Sequence, residues 1–517
     1  MRNSKFVLLP ALLFCAIGSS AQDIREAYNF SNLTVQGTAS SMGYGNALGS
    51  LGGDFSSLSV NPAGLGIYRK SELEITPSLR LNSASSDYAG TTTLDNNARF
   101  NFNSFGLIFT ASAKGRHYEH RNWKAVSFAF GMNRVADFNR SYTYQGNNNT
   151  SSASLAFESD ANLNPGNVSS SNSVSLGSMG YNSYLLDQNP ATSAFYTTVP
   201  FTGGVNQVKS VQENGSINEY VISLGGNYKE KLMLGITFGI PVINYHSNSN
   251  YTESSSDNNI VSNPSGFSSF NYNQTLDITG GGINAKIGAI YKITDYFRIG
   301  AAFHSPTYYT ISDMSSKSLY VVNDSSVNAS NTIGYSGASV NNQFNYNFTT
   351  PWKGVLSATF LFKKLGFITA DYEYVDYSSM RYRYPDGYES DEAAINQAIK
   401  KTYQGVSDLR IGAGINVTKI FIVRAGLGYY GNAYTSYGEA NERSYTTQRV
   451  DLNAGLGLHF KHFYTDLGFV HSMYQGVEQP YSIDYSGVVS SAQPATIPKA
   501  TTNYSINNLA LTMGVRF

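Results

Sequence analysis

The sequence predicts an all-β chain, a transmembrane antiparallel β-barrel of about fourteen strands with an N-terminal luminal hatch. Three observations lead there. Apolar residues recur at every second position over strand-length segments, and the connections between those segments alternate between short and long. The composition also does not suit an aqueous surface: 14% of residues are charged, while 39 Tyr, 29 Phe and 48 Gly are present, and an average soluble domain is charged at roughly a quarter of its positions.

In chain order, residues 1–21 read as a secretory signal: Arg2 and Lys5, the mostly apolar run Phe6 to Ile17, then the small residues Gly18, Ser19, Ser20 and Ala21. That run is too short to span a bilayer comfortably as a helix, which takes about 20 residues, so cleavage after Ala21 is expected. The single cysteine, Cys15, lies inside the signal behind Phe14, where a lipoprotein signal needs a small residue. Cleavage leaves no thiol, which excludes a disulfide framework, a thiolate nucleophile and a Cys-ligated metal. Removing Arg2 and Lys5 from a balance of 35 basic and 35 acidic residues leaves two acids in excess, with no sign of nucleic-acid binding.

Residues 22–70 show no sustained alternation and carry Gly43, Gly45, Gly49, Gly52, Gly53, Gly64 and Gly66. A barrel of about fourteen strands encloses a lumen wider than side chains alone fill. This compact segment therefore either plugs the lumen or hangs as a disordered tail.

Residues 71–517 hold the barrel. They contain no run of about 18 uninterrupted apolar residues, as a spanning helix requires, and the mean hydropathy of the chain is −0.25. Strands of a barrel escape that test, because a lipid-facing and a lumen-facing set interleave. Leu73, Ile75, Pro77, Leu79 and Leu81 alternate with Glu72, Glu74, Thr76, Ser78 and Arg80. Leu409, Ile411, Ala413, Ile415 and Val417 oppose Asp408, Arg410, Gly412, Gly414 and Asn416, and Val450 to Phe460 and Leu509 to Phe517 repeat the pattern. A soluble β-sandwich also alternates; the connections separate the two. Turns of a few residues fall at Lys229–Lys231, Thr294–Tyr296, Lys363–Lys364, Thr418–Lys419 and Lys461–His462. Long polar connections fall between them, near 145–216, 246–266, 312–341, 379–405, 431–445 and 476–502. Outer-membrane barrels join strands this way, with short periplasmic turns and long outer loops. Strand starts near 71, 98, 122, 217, 232, 268, 296, 342, 365, 406, 420, 446, 463 and 504 make an even count, which returns the C-terminus to the periplasmic side. Phe517 supplies the aromatic ending by which barrel-assembly machinery selects its clients.

The runs Ser41-Met42-Gly43-Tyr44-Gly45-Asn46-Ala47, Leu51-Gly52-Gly53-Asp54 and Asn61-Pro62-Ala63-Gly64-Leu65 resemble the hatch of the FadL/TodX family of outer-membrane transporters for long-chain fatty acids and aromatic hydrocarbons. Further echoes are Tyr291 to Thr294, Arg298 to Pro306, Thr350 to Lys353 and Leu409 to Gly414. The resemblance implies a fourteen-stranded barrel in the outer membrane of a Gram-negative cell, with outer-membrane lipid around it and passive uptake of hydrophobic small molecules. It implies capture by outer loops, transfer to a luminal pocket, release as the hatch shifts, and a strand irregularity that opens the wall sideways. The long Asn/Ser-rich connection and the insert Glu389 to Lys400 depart from better-known members. The insert reads as a short helix, acids first and Lys last. Leu185, Leu186, Phe195 and Tyr196 of the long connection offer either a landing site for apolar ligand or packing of the loop on itself.

Asn61, Pro62, Ala63, Gly64 and Leu65 are the candidate gating segment, since Pro62 restricts the backbone and Gly64 permits a tight turn beside the wall; seating the hatch is the other reading. The luminal charges Glu72, Glu74, Arg80, Arg410, Arg424, Arg449 and Asp451, with Asp371 and Glu373, either pair to hold the hatch or bind a ligand head group. An enzyme is not expected: the sequence has no Gly-x-Ser-x-Gly elbow, no zinc-spaced His pair and no phosphate loop, and neither cofactor nor metal is called for. His117 and His120 read as a solvated periplasmic turn in preference to a metal site. Two rival readings are haem or hemin uptake, with His246, His304, His459 and His471 as candidate ligands, and a general polar porin, against which an intact hatch argues.

Overall fold

The computed structural model describes residues 24–113, 116–168, 175–256, 266–324, 332–336, 340–435, 447–490 and 496–517; the expected signal at 1–21 lies outside them. Fourteen antiparallel strands close into a barrel. They are β1 (Glu72–Tyr88), β2 (Thr91–Ser112), β3 (Trp123–Asp137, continued by Arg140–Asn148), β4 (Val205–Tyr228), β5 (Leu232–Ser255), β6 (Phe267–Lys292) and β7 (Phe297–His304 and Tyr308–Asp324). The circuit continues through β8 (Val340–Thr349 and Lys353–Leu361), β9 (Gly366–Asp376 and Arg381–Arg383), β10 (Gly405–Asn416), β11 (Phe421–Tyr430), β12 (Arg449–His459), β13 (Phe463–Glu478) and β14 (Ala500–Arg516). Each strand pairs with the next, and β14 closes on β1 from Glu72↔Arg516 to Asp87↔Thr501. Closure leaves no free sheet edge, which a lipid medium demands.

The phase of the alternation is as read from the sequence. Leu73, Ile75, Leu79, Leu81, Leu409, Ile411, Leu452, Leu511 and Met513 point outward and are exposed, whereas Glu72, Glu74, Arg410, Asp451 and Thr512 are buried inside. An uninterrupted apolar outer belt has no stable place in water and suits acyl chains. Leu456→Arg, on that belt, is expected to lower folding stability by about 2–4 kcal/mol, the cost of a cation at the bilayer midplane. Equilibrium unfolding in lipid vesicles measures it.

The outer halves of several strands correct the expected boundaries. β2 begins at Thr91 instead of 98, β4 at Val205 instead of 217 and β14 at Ala500 instead of 504, while β5 runs on to Ser255. The connections are shorter to match. These extensions, such as Asn244-Tyr245-His246-Ser247-Asn248-Ser249, are polar, because a strand that outruns the apolar belt has no lipid to impose an apolar second residue. Four strands also break: β3 at Phe138–Asn139, β7 at 305–307, β8 at 350–352 and β9 at 377–380. Pro306 and Pro351 sit in the second and third breaks, where a missing N–H interrupts the ladder.

The long connection 149–204 folds, in its described part, into helices Ser154–Leu163 and Leu176–Asn182. Leu155, Phe157, Met179, Leu185, Leu186 and Phe195 are buried together there, so the loop packs on itself and Leu185, Leu186 and Phe195 offer no open landing site, while Tyr196 stays exposed. The charged insert is a helix over Glu389–Thr402, with Glu389, Asp391 and Glu392 in its first turn and Lys400 and Lys401 in its last.

Candidate functional site

The described part of the N-terminal segment folds into four short helical pieces, α1 (Ile24–Ser31), α2 (Ala39–Gly43) and two 3-10 turns, Phe55–Ser59 and Pro62–Ile67. Short polar side chains start three of them, as N-caps do. Thr38 Oγ1 accepts from Ser41 N at 3.1 Å, Asp54 Oδ1 from Ser56 N at 2.9 Å, and Asn61 Oδ1 from Ala63 N at 3.0 Å. Thr38 Oγ1 also donates to Asp54 Oδ2 at 2.7 Å, which ties two of the pieces together. Burial pushes the Asp54 carboxyl above its usual range, and the bonds from Thr38 and Ser56 pull it back in part.

This segment lies against the inner wall on many sides. Ala39 N donates to Thr512 Oγ1 at 2.7 Å, Gly49 N to Asp371 Oδ2 at 2.9 Å, and Ser59 Oγ to Glu219 Oε2 at 2.8 Å. Ser50 Oγ meets Thr359 Oγ1 at 2.7 Å, Asn453 Nδ2 donates to Met42 O at 2.9 Å, and Thr34 N donates to Val135 O at 2.8 Å. Such closeness needs a wall without side chains. A Cβ on Gly235 would overlap the Pro62 carbonyl, one on Gly412 the Tyr44 carbonyl, and one on Gly468 the Ala39 carbonyl. Gly235→Val is therefore expected to unseat Pro62–Ile67 at a cost of about 1–3 kcal/mol. Limited proteolysis of the N-terminal segment reads that loosening, and an unchanged digestion pattern refutes it.

Asn61, Pro62, Ala63, Gly64 and Leu65 are all buried at this seat. Asn61 Nδ2 donates to Gly49 O at 2.5 Å and to Ala289 O of β6 at 3.2 Å, so the side chain links two turns of the segment and the wall.

The luminal charges are paired, in separate groups. Tyr464 Oη lies 2.8 Å from Glu72 Oε1 and 2.9 Å from Glu74 Oε2, and Arg516 Nε donates to Glu72 Oε2 at 2.7 Å. Arg410 meets Glu373 at 2.9 Å and Asp371 at 4.0 Å, and Lys353 meets Glu373 at 3.4 Å. Arg424 meets Asp466 at 2.6 Å. Arg449 meets Asp451 at 3.1 Å, donates to Thr34 Oγ1 at 3.2 Å and lies 3.8 Å over the Tyr430 ring. Arg80 meets Asp137 at 3.4 Å. Of the charges singled out from the sequence, Arg80, Arg449 and Asp451 border a luminal cavity of about 280 Å³. Sequence reading missed Asp137, Arg140 and Glu478, which also line it, because all three sit where strands outrun the apolar belt and the alternation fades.

The cavity lies between the N-terminal segment and the upper wall. Tyr28, Val35, Val135, Phe138, Tyr504 and Ile506 form its apolar sides. It abuts an interruption in the sheet. β2 pairs with β3 only from Ser104↔Asn133 to Ser112↔Ala125, while its outer half, Thr91 to Phe102, pairs with β1 alone. Beyond the break at Phe138–Asn139, β3 pairs with β4 alone. Side chains span the gap in place of a backbone ladder: Asn101 Nδ2 donates to Asp137 Oδ2 at 3.0 Å, and Arg134 Nη1 to Asn101 Oδ1 at 3.2 Å.

The four candidate haem histidines have separate partners. His246 Nδ1 is 2.6 Å from Asp277, His304 Nε2 2.7 Å from Val60 O, His459 Nε2 3.1 Å from Asp466, and His471 Nδ1 2.9 Å from Asn507. His120 closes a short helix, Arg116–His120, on the short-turn side.

No protein-family model and no curated protein sequence matches the chain. Solved structures do. A Pseudomonas aeruginosa FadL homologue superposes over 93% of this chain and 98% of its own, with a TM-score of 0.53 and 10% identity. The Pseudomonas putida toluene transporter TodX covers 94% and 100% of the two chains, with a TM-score of 0.49 and 12% identity, and the Ralstonia pickettii toluene transporter TbuX covers 93% and 98%, with 0.46 and 14%. With its closed ring of fourteen strands, the chain shares the fold of that FadL homologue.

Proposed function

We propose that this chain is an outer-membrane channel for the passive uptake of hydrophobic small molecules, long-chain fatty acids or aromatic hydrocarbons, with residues 22–70 as its hatch. The carrying observation is the coincidence of the 280 Å³ cavity with the gap between β2 and β3. A solute that leaves an apolar pocket for a membrane gains by never crossing water, about 0.8 kcal/mol for each CH₂ kept buried. An opening in the wall beside the pocket serves that route; an axial polar pore does not. The short turns then face the periplasm, where Phe517 meets the assembly machinery, and the long connections face outward. Asn61 to Leu65, pinned to the wall, is the part of the hatch whose release would open a path below the cavity.

Cross-linking the gap tests the route. Asn101→Cys with Asp137→Cys places the chain's only mature thiols where the native side chains already touch. Oxidation is expected to abolish uptake of a radiolabelled fatty acid or toluene into cells that express the variant, and reduction to restore it. Full uptake by the oxidised form would exclude a lateral exit here.

A further inference from the structure

The short-turn end of the barrel is ringed by cations that the transport reading leaves without a role. Lys363 and Lys364 form one turn, between the exposed Phe362 and Leu365. Lys419 lies in the next, between Val417 and Ile420, and Lys461 in the one after, between Phe460 and Phe463; both pairs of flanking residues are exposed. Lys229 and Lys231 lie in the turn before β5, and Arg121 precedes Trp123; all three cations are exposed. Against them the described residues of this end offer few acids. Glu119 and Asp295 are exposed, and Glu230 is held by Arg69 at 2.8 Å and Lys292 at 3.5 Å. The long-loop end mixes both signs, with Asp187, Asp386 and Glu389 exposed alongside Arg381, Arg383 and Lys400.

We propose that this collar is a binding surface for anionic phospholipid head groups in the leaflet that surrounds the short turns. The inference rests on the reading that the barrel spans a membrane. In each of three turns only two residues separate a pair of belt residues. Their ammonium groups therefore stand one side chain's reach from the level where acyl chains give way to head groups. Aromatic rings mark the same level: Lys229 lies 5.3 Å over Tyr228 and Lys363 5.9 Å over Tyr296. Cations clustered just beyond an apolar surface attract anionic lipid, each adding to the local preference. A chain of zero net charge can thus carry a strongly one-sided end.

The chain's two tryptophans make this measurable. Trp123 sits at the collar, exposed beside Tyr228, and Trp352→Phe leaves it as the single reporter. In vesicles of phosphatidylcholine with an equal part of phosphatidylglycerol, the bromine-labelled acyl chains are placed on one lipid or on the other. Trp123 quenching is expected to favour the anionic lipid about fivefold, the preference contributed by one cation near a charged surface. Arg121→Gln with Lys229→Gln and Lys231→Gln, or high salt on the unaltered collar, should bring the ratio to one. Equal quenching by both lipids overturns the proposal and turns the cations toward an acidic soluble partner, as does a preference that survives charge removal. Absence of quenching by either lipid overturns it together with the membrane reading. Uptake of hydrophobic solute is scored separately, so its failure leaves this result standing.

Discussion

Deletion of residues 22–70 is expected to convert the barrel into an open, ion-conducting pore and, if the proposed uptake holds, to abolish saturable uptake of hydrophobic solute. The segment makes hydrogen bonds to strands from β3 round to β14. What it covers is polar: Thr359, Asp371, Asn453 and Thr512 are buried only because it is there or because their neighbours pair with them. Once bared, those groups bind water, and a fourteen-stranded barrel is wide enough to hold a continuous column of it. Single-channel recording in planar bilayers is the measurement, with steps of porin size expected from the deletion and closed traces from the full chain. A deletion variant that stays non-conducting while folded, as judged by heat-modifiable gel mobility, would show that the strands narrow the lumen unaided.

The second large effect is expected at Arg424. Its guanidinium and the Asp466 carboxylate meet at 2.6 Å with side-chain exposures of 4% and 0%, and His459 Nε2 approaches the same carboxylate at 3.1 Å. Arg424→Met leaves Asp466 buried without its principal counter-charge, which costs about 3–5 kcal/mol. Adding Asp466→Leu removes the stranded carboxylate, and most of the loss is then regained, because a buried ion pair contributes little net stability over an apolar pair of similar volume. Urea unfolding in vesicles reads both variants. If the double variant is as unstable as the single one, the charge pair with Asp466 is not what makes Arg424 matter.

These two sites differ in how far the sequence disclosed them. Arg424 was placed on the luminal face from the alternation around it, and so were Glu72, Glu74, Arg410 and Arg449. Their partners were not legible: Arg424 reaches 42 residues along the chain, Glu72 reaches 444, and Ser50 meets Thr359 across 309. Such pairs exist because the sheet closes with a particular stagger, and no local pattern encodes the stagger. Gly412 was equally visible on one face of its strand, yet its meaning depends on the Tyr44 backbone lying against it, as that of Gly235 and Gly468 depends on Pro62 and Ala39.

The sequence by itself determined the barrel, its strand number of about fourteen, the outward face of the strands that alternate most clearly, and which end carries short turns. It could do so because lipid acts on every second residue of every strand, so the constraint is local and repeats. Only the tertiary structure decided where β2 and β3 part, how far strands run past the belt, which charges pair, and that a cavity opens beside the gap. Each of those depends on which distant strands become neighbours and in what register, a choice made by the energy of closing the whole ring.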